Sequence, residues 1–411
     1  MAEFSFLHAA DLHLDSPLKG LDPDAPAARI RNATREALAN MVQFALSQQV
    51  AFVLLAGDLY DGDWKDWRTG QFLAQQLGAL TRAGIEIVAI SGNHDAEQVM
   101  SKSLGLRHML DHAKPETRRL DGVPVAVHGQ SFATREIRHS LVEAYPPAID
   151  DLFNIGLLHT ACGQGGHENY APCVPADLLR HNYDYWALGH VHTRAELSRD
   201  PWIVFPGNLQ GRHINEEGAR GATLVRVAGK RVQSAEHVAF DVLRWQRLRV
   251  DATGAEGLDA VLTRIRRALD EAVLGAEGRL LVARLTLAGE TPAHAVLARA
   301  PDDLLQQVRA AASEIAGPDA LWIEDVRLAT TPAIDIDVMR RQPGAVGALI
   351  AALDRPPEID AALQNFVADQ LRRARDDLPP DHPAFALAAG QIPDGLLEQA
   401  RALVLAELAR R

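Results

Sequence analysis

Short apolar runs alternate with amphipathic stretches over the first half of the chain, which is the pattern of an α/β layer fold. The runs FSFLHAA (4–10), VAFVLLAG (50–57), IEIVAIS (85–91), VPVAVHG (123–129), FNIGLLH (153–159), YDYWALG (183–189) and WIVFPG (202–207) predict strands. Between the first three, residues 29–48 and 68–83 space their apolar side chains as helices do. Past about residue 242 the texture changes. Strands at 245–252, 279–289 and 320–329, with helices running to about 274 and near 294–315, predict a small β-α-β-α-β domain. The tail predicts Pro-punctuated helices. One carries the stripe Ile359, Leu363, Phe366, Val367 and Leu371, and another carries Leu396, Leu397, Ala400, Leu403, Val404 and Leu408. Three regions are expected: 1–241, 242–330 and 331–411.

Composition narrows the function. With 42 Lys+Arg against 54 Asp+Glu, a net charge of −12, the chain is not built to coat nucleic acid or anionic membrane by bulk charge. A phosphate-bearing substrate must be attracted locally. Cys162 and Cys173, the two cysteines, form no disulfide framework and match no standard zinc spacing, so reduced structural thiols in a reducing compartment are expected. No basic and apolar leader opens the chain, and no run of about 18 apolar residues follows. A soluble cytoplasmic protein without membrane contact is the expectation.

The chemistry sits directly after the predicted strands. Asp11 and His13 stand in ADLHLD, Asp58 and Asp61 in GDLYDGD, Asn93, His94 and Asp95 in SGNHDAE, His159 in LLHTA, and His190 and His192 in GHVHT. A single D-x-H or G-N-H is ordinary turn or cap chemistry. Five such segments, each ending an apolar strand, are not, because open α/β sheets place ligands beyond the carboxyl ends of their strands. About seven imidazole, carboxylate and amide donors exceed one tetrahedral zinc and lack its thiolates. They suit two divalent ions, with Asp58 as the bridging carboxylate. D-x-H and H-x-H are expected to put both side chains on one side of an extended segment.

The ordered set D-x-H, G-D-x-x-D, G-N-H-D, H, G-H-x-H resembles the calcineurin-like metallophosphoesterases over residues 4 to about 215. HAADLHLDSPL, GDLYDGDW, SGNHD, HENYAPC and ALGHVHT resemble the DNA-repair exonuclease group of SbcD and YhaO. The resemblance implies a metallophosphoesterase β-sandwich flanked by helices, a small α/β capping domain and a helical C-terminal tail. It implies that Asp11, His13, Asp58 and His192 hold one metal, and that Asp58, Asn93, His159 and His190 hold the other, with manganese favoured. It places His94 beside the scissile phosphate as cation or general acid, oriented by Asp61. The implied activity is two-metal exonucleolytic hydrolysis of DNA phosphodiesters in repair or end processing. The implied partner is an SMC-like ATPase of the Rad50, SbcC or YhaN type, docked through the tail, and a homodimer is left open.

Other residues carry plainer expectations. Asp15 and Asp95 read as turn or cap residues. Asp63, Trp64 and Trp67 read either as a stacking rim for nucleic acid or as an anchor for the following helix. His128 reads as a satisfied buried histidine, while His167 lies in a Gly-rich loop beside the site. The basic cluster at 370–377 reads as a solvated helix face. Two alternatives stand beside the nuclease: a phosphatase or small-molecule phosphodiesterase of the same superfamily, and an inactive regulatory subunit of an ATPase complex.

Overall fold

The computed structural model describes residues 3–16, 27–61, 67–96, 108–163, 170–333 and 341. The predicted tail helices, the 370–377 cluster, Asp63, Trp64 and His167 lie outside these residues.

Strands β1 (Glu3–Ala9), β2 (Phe52–Ala56) and β3 (Glu86–Ile90) are separated in sequence by helices α1 (Ala27–Gln48) and α2 (Trp67–Arg82). Then come β4 (Glu116–Arg119), β5 (Val125–Gly129), β6 (Phe153–His159), α3 (Pro175–Leu179), β7 (Tyr185–Gly189), β8 (Ala195–Arg199), β9 (Trp202–Phe205), β10 (Gly221–Ala228) and β11 (Arg231–Ala239). They form two sheets, in the orders β11-β10-β1-β2-β3 and β4-β5-β6-β7-β9-β8. β1, β2 and β3 are parallel, as are β5, β6, β7 and β9.

Side chains alternate between two cores. Phe6, Phe52, Leu54 and Val88 of the first sheet pack between the sheets with Val127, Phe153, Ile155 and Tyr185 of the second. On the outer face of the first sheet, Leu7, Val53 and Leu55 meet Leu38, Met41 and Val42 of α1 and Leu73, Leu77 and Leu80 of α2. A third core covers the far face of the second sheet with Trp186, Leu188, Phe132, Tyr145 and Tyr183. Central strands buried on both faces read as continuous apolar runs, as found here.

The remaining strands were not legible in that pattern. β4, β8 and β11 are edge strands whose half-exposed faces carry Glu, Arg, Ser and Gln. β10 is largely buried against β1, but Arg226 interrupts its apolar run.

The chain divides into two compact units. One holds the residues up to Arg247 with 271–284 and 312–324; the other holds 248–270, 285–311 and the described residues from 325 on. Strands β12 (Leu243–Asp251), β13 (Leu280–Thr291) and β14 (Leu321–Pro332) form a separate sheet in that order, with α4 (Leu258–Gly275), α5 (His294–Arg299) and α6 (Pro301–Ala316) in their connections. The single helix expected near 294–315 is broken at Pro301, which lacks the N–H that would continue α5 and opens α6 instead.

Candidate metal centre

The parallel strands of both sheets deliver their carboxyl ends to one edge, and the chain turns sharply there. Asp11, His13, Asp58 and His190 all adopt positive φ, at 52°, 41°, 51° and 104°. The extended geometry expected for D-x-H is therefore not what aligns it. Asp11 and His13 reach the same site from a left-handed backbone, which is held alongside the next loop by Asp11 N–H to Gly57 O and His13 N–H to Asp58 O, both 3.0 Å. The glycines before the donors permit this crowding. A Cβ on Gly92 would lie 2.2 Å from Asp58 Oδ1 and 2.7 Å from His159 Cε1.

The seven expected donors come together. Asp11, His13 and His192 form one group whose ligand atoms lie within 4.8 Å of one another; Asp58, His159 and His190 form a second, and Asp58 also joins His13 and His94. Asp58 Oδ2 lies 3.8 Å from His13 Nε2 and 3.6 Å from His159 Nε2, between the two groups. Asn93 joins through Oδ1, 2.9 Å from His159 Nε2.

Hydrogen bonds at the back of the rings fix which nitrogens face inward. His159 Nδ1–H donates to Ala56 O at 2.9 Å, so Nε2 carries the lone pair toward Asn93. His192 Nδ1–H donates to Glu216 Oε1 at 2.7 Å, and Asp61 Oδ1 faces His13 Nδ1 at 3.5 Å. The Nε2 atoms of His13 and His192 then confront each other at 3.1 Å. Two lone pairs at that distance repel unless a proton or a metal cation lies between them, and Asn93 Oδ1 against His159 Nε2 poses the same demand. The donor set therefore fits divalent ions.

The electrostatics agree. Burial pushes Asp11 up to about 6, against the pull of His192 and His159. Burial likewise raises Asp58, and it raises Asp95, which the Asp58 charge pushes further. Burial takes His13 down to about 3, which keeps its ring neutral. His192 goes the other way: burial opposes protonation, but the Glu216 hydrogen bond and the Asp11 charge outweigh it.

A cavity of about 430 Å³ opens over these donors, lined by Asp58, Asn93, His94, Tyr170, His190, His192, Arg212, His213 and Glu216 among others. His94 Nδ1 approaches Asp61 Oδ1 at 3.3 Å, and Ser16 Oγ–H donates to Asp61 Oδ2 at 2.6 Å. Burial of Asp61 is outweighed by its hydrogen bonds with His13 and Ser16 and by the His13 and Arg212 charges, which hold it well below the usual carboxylate range.

Asp15 stays out of the cluster, clamped to Arg35 Nε and Nη2 at 2.6 and 2.5 Å. Asp95 accepts N–H groups from Leu59, Tyr60 and Gly92 as a cap. His128 is satisfied by Thr117 and Asn154, and Cys162 and Cys173 are buried thiols. Trp67 is half exposed at the start of α2. Glu216 was missed by sequence reasoning, because GNLQGRHINEEGAR reads as a solvated loop. Buried to 4% exposure, it also accepts from Asn208 Nδ2 at 2.8 Å and Arg212 N–H at 2.7 Å.

Residues 4–194 match the family described as calcineurin-like phosphoesterase, and residues 245–331 match the middle domain of metallophosphoesterase YhaO. The chain is 34% identical over 338 residues to the uncharacterized metallophosphoesterase YhaO of Bacillus subtilis, covering 80% of this chain and 82% of that protein. It is 25% identical over 405 residues to the DNA double-strand break repair protein Mre11 of Methanopyrus kandleri, covering 91% of this chain and 83% of that one. A shorter match, 34% identical over 94 residues and 22% of each chain, links it to one subunit of the nuclease SbcCD of Rhodobacter capsulatus. The sandwich and its donor cluster are those of a calcineurin-like metallophosphoesterase. Within that class the chain belongs to the YhaO family. The family implies divalent metal ions and hydrolysis of phosphoester bonds.

Proposed function

We propose that this protein is a two-metal, manganese-dependent exonuclease acting on DNA phosphodiesters. The observation that carries the two-metal reading is the place of Asp58, whose carboxylate belongs to donor groups on either side of it. Asp11, His13, Asp58 and His192 hold one ion, and Asp58, Asn93, His159 and His190 hold the other. Bound divalent ions supply Lewis acidity at the phosphoryl oxygens and an activated water at neutral pH. His94 on the cavity wall faces the scissile phosphate, where its proton offsets charge that grows on the departing oxygen. Asp61 is a positioning residue whose Oδ1 faces His94 Nδ1 at 3.3 Å.

The choice of DNA rests on relatives named for double-strand break repair and as a nuclease. The nuclease relative is named as one part of a larger assembly, SbcCD, which supports a complex with a second protein, proposed as the SMC-like ATPase.

The test runs end-labelled duplex DNA and bis-p-nitrophenyl phosphate in parallel, with manganese and with chelator, for wild type and Asp58→Asn. Metal-dependent shortening of DNA, lost in Asp58→Asn, is expected. Hydrolysis of the small diester with DNA left intact, including in the presence of the ATPase, would overturn the DNA assignment and favour the small-molecule phosphodiesterase.

A further inference from the structure

The loop after β9 carries a cation that the donor cluster does not use. Arg212 lines the cavity and is the one arginine to do so among the described residues. Its side chain is 13% exposed, and the loop that bears it is closed on itself. Glu216 Oε2 accepts the Arg212 backbone N–H at 2.7 Å, and the Glu216 N–H returns to His213 O at 2.8 Å.

The guanidinium is anchored loosely. Nη1 lies 3.6 Å from Asp61 Oδ1 and Nη2 lies 3.3 Å from Glu216 Oε1, both longer than a good charge-assisted hydrogen bond. Nη2 also stands 3.2 Å from His192 Nδ1, but that nitrogen spends its hydrogen on Glu216 and cannot accept. Nε is buried with no hydrogen-bond acceptor among the described residues. A guanidinium has five N–H donors in a planar fork matched to phosphate. Here most are unspent, in a cavity whose wall also carries Asp58 and Glu216, which repel an anion, and the imidazoles of His94, His190, His192 and His213. The same Asp61 Oδ1 also faces His94 Nδ1 at 3.3 Å, so arginine and histidine share one carboxylate on the cavity wall.

We propose that Arg212 binds a non-bridging phosphate oxygen of the substrate, alongside His94, with Asp61 and Glu216 as the positioning residues that aim it. The proposal rests on the reading of this cavity as the phosphoester site and adds to it the group that recognises the phosphate. The two carboxylates keep the cation in place before substrate arrives, and the unspent donors are what the phosphate satisfies.

The test uses the full chain loaded with manganese, as wild type, Arg212→Gln and Arg212→Lys. Three quantities are measured: metal content after desalting, affinity for inorganic phosphate by calorimetric titration, and KM and kcat for bis-p-nitrophenyl phosphate. Arg212→Gln is expected to weaken phosphate binding and raise KM by about 10- to 100-fold, with metal content unchanged and kcat altered less. Arg212→Lys should recover part of the loss, because it keeps the charge without the fork. Unchanged phosphate affinity and KM in Arg212→Gln would overturn the proposal. Loss of metal from both variants would also overturn it, assigning Arg212 to support of the donors instead. Arginine-dependent phosphate binding by a wild type that cleaves no diester would leave the proposal standing and defeat the exonuclease reading.

Discussion

Glu216 is the residue on which the others lean. It fixes the tautomer of His192 through Nδ1 and ties Asn208 and Arg212 into the same loop. Glu216→Gln keeps the size but removes the charge and turns one acceptor oxygen into an NH2 group, which must face either the His192 Nδ1–H or the Asn208 and Arg212 N–H donors. Metal affinity should fall about 10- to 100-fold, as competition with a chelating dye would register, while near-ultraviolet circular dichroism stays that of wild type. The contrast with Asp58 shows what sequence can reveal at this scale. Asp58 stands one glycine behind an apolar strand, in one of five such segments that recur along the chain, and that recurrence sets it apart from an ordinary turn acid. Glu216 stands beside Glu217 in a polar loop, and only its three-dimensional partners distinguish it from a solvated charge. The same holds for Arg212.

At the level of elements, the glycines of G-D, G-N-H and G-H act as spacers between crowded loops. Gly92→Ala would force a methyl group against the Asp58 carboxylate and the His159 ring, so one of these must move. The expected outcome is loss of manganese binding in equilibrium dialysis with only a modest drop in melting temperature, because the cores of the sandwich are not touched. Central strands were legible because burial on both faces writes an unbroken apolar run. The edge strands β4, β8 and β11 were not, since solvent on one side lets charged residues in. The local backbone of D-x-H was misread for a related reason. Alternation of side chains is a rule for strands, and Asp11 and His13 lie beyond the strand in left-handed conformations that sequence spacing does not encode.

For the molecule as a whole, the two sheets meet through polar bonds as well as the apolar core. His8 joins Tyr185 Oη and Leu188 O, each at 3.0 Å; the His190 N–H reaches Asp11; and His159 reaches Ala56 O. Asp11 and Asp58 are both buried acids whose pKa values burial raises, so holding their charge at neutral pH costs the metal-free protein stability. A divalent ion held at about 100 times its dissociation constant adds about 2.7 kcal/mol to stability. Manganese should therefore raise the melting temperature by several degrees in scanning fluorimetry, and Asp58→Asn should show little or none of that response.

The cross-sheet origin of the donors also sets a clock. Asp11, His13, Asp58 and Asn93 leave the ribosome well before His159, His190 and His192, and β1 is flanked by β10 only after Ala228 has been made. A nascent chain thus carries four of the seven donors once residue 93 is made, and cannot complete the set until the last of them is made at residue 192. The full donor set therefore exists only once β7 and the loop behind it have joined the strands made before them.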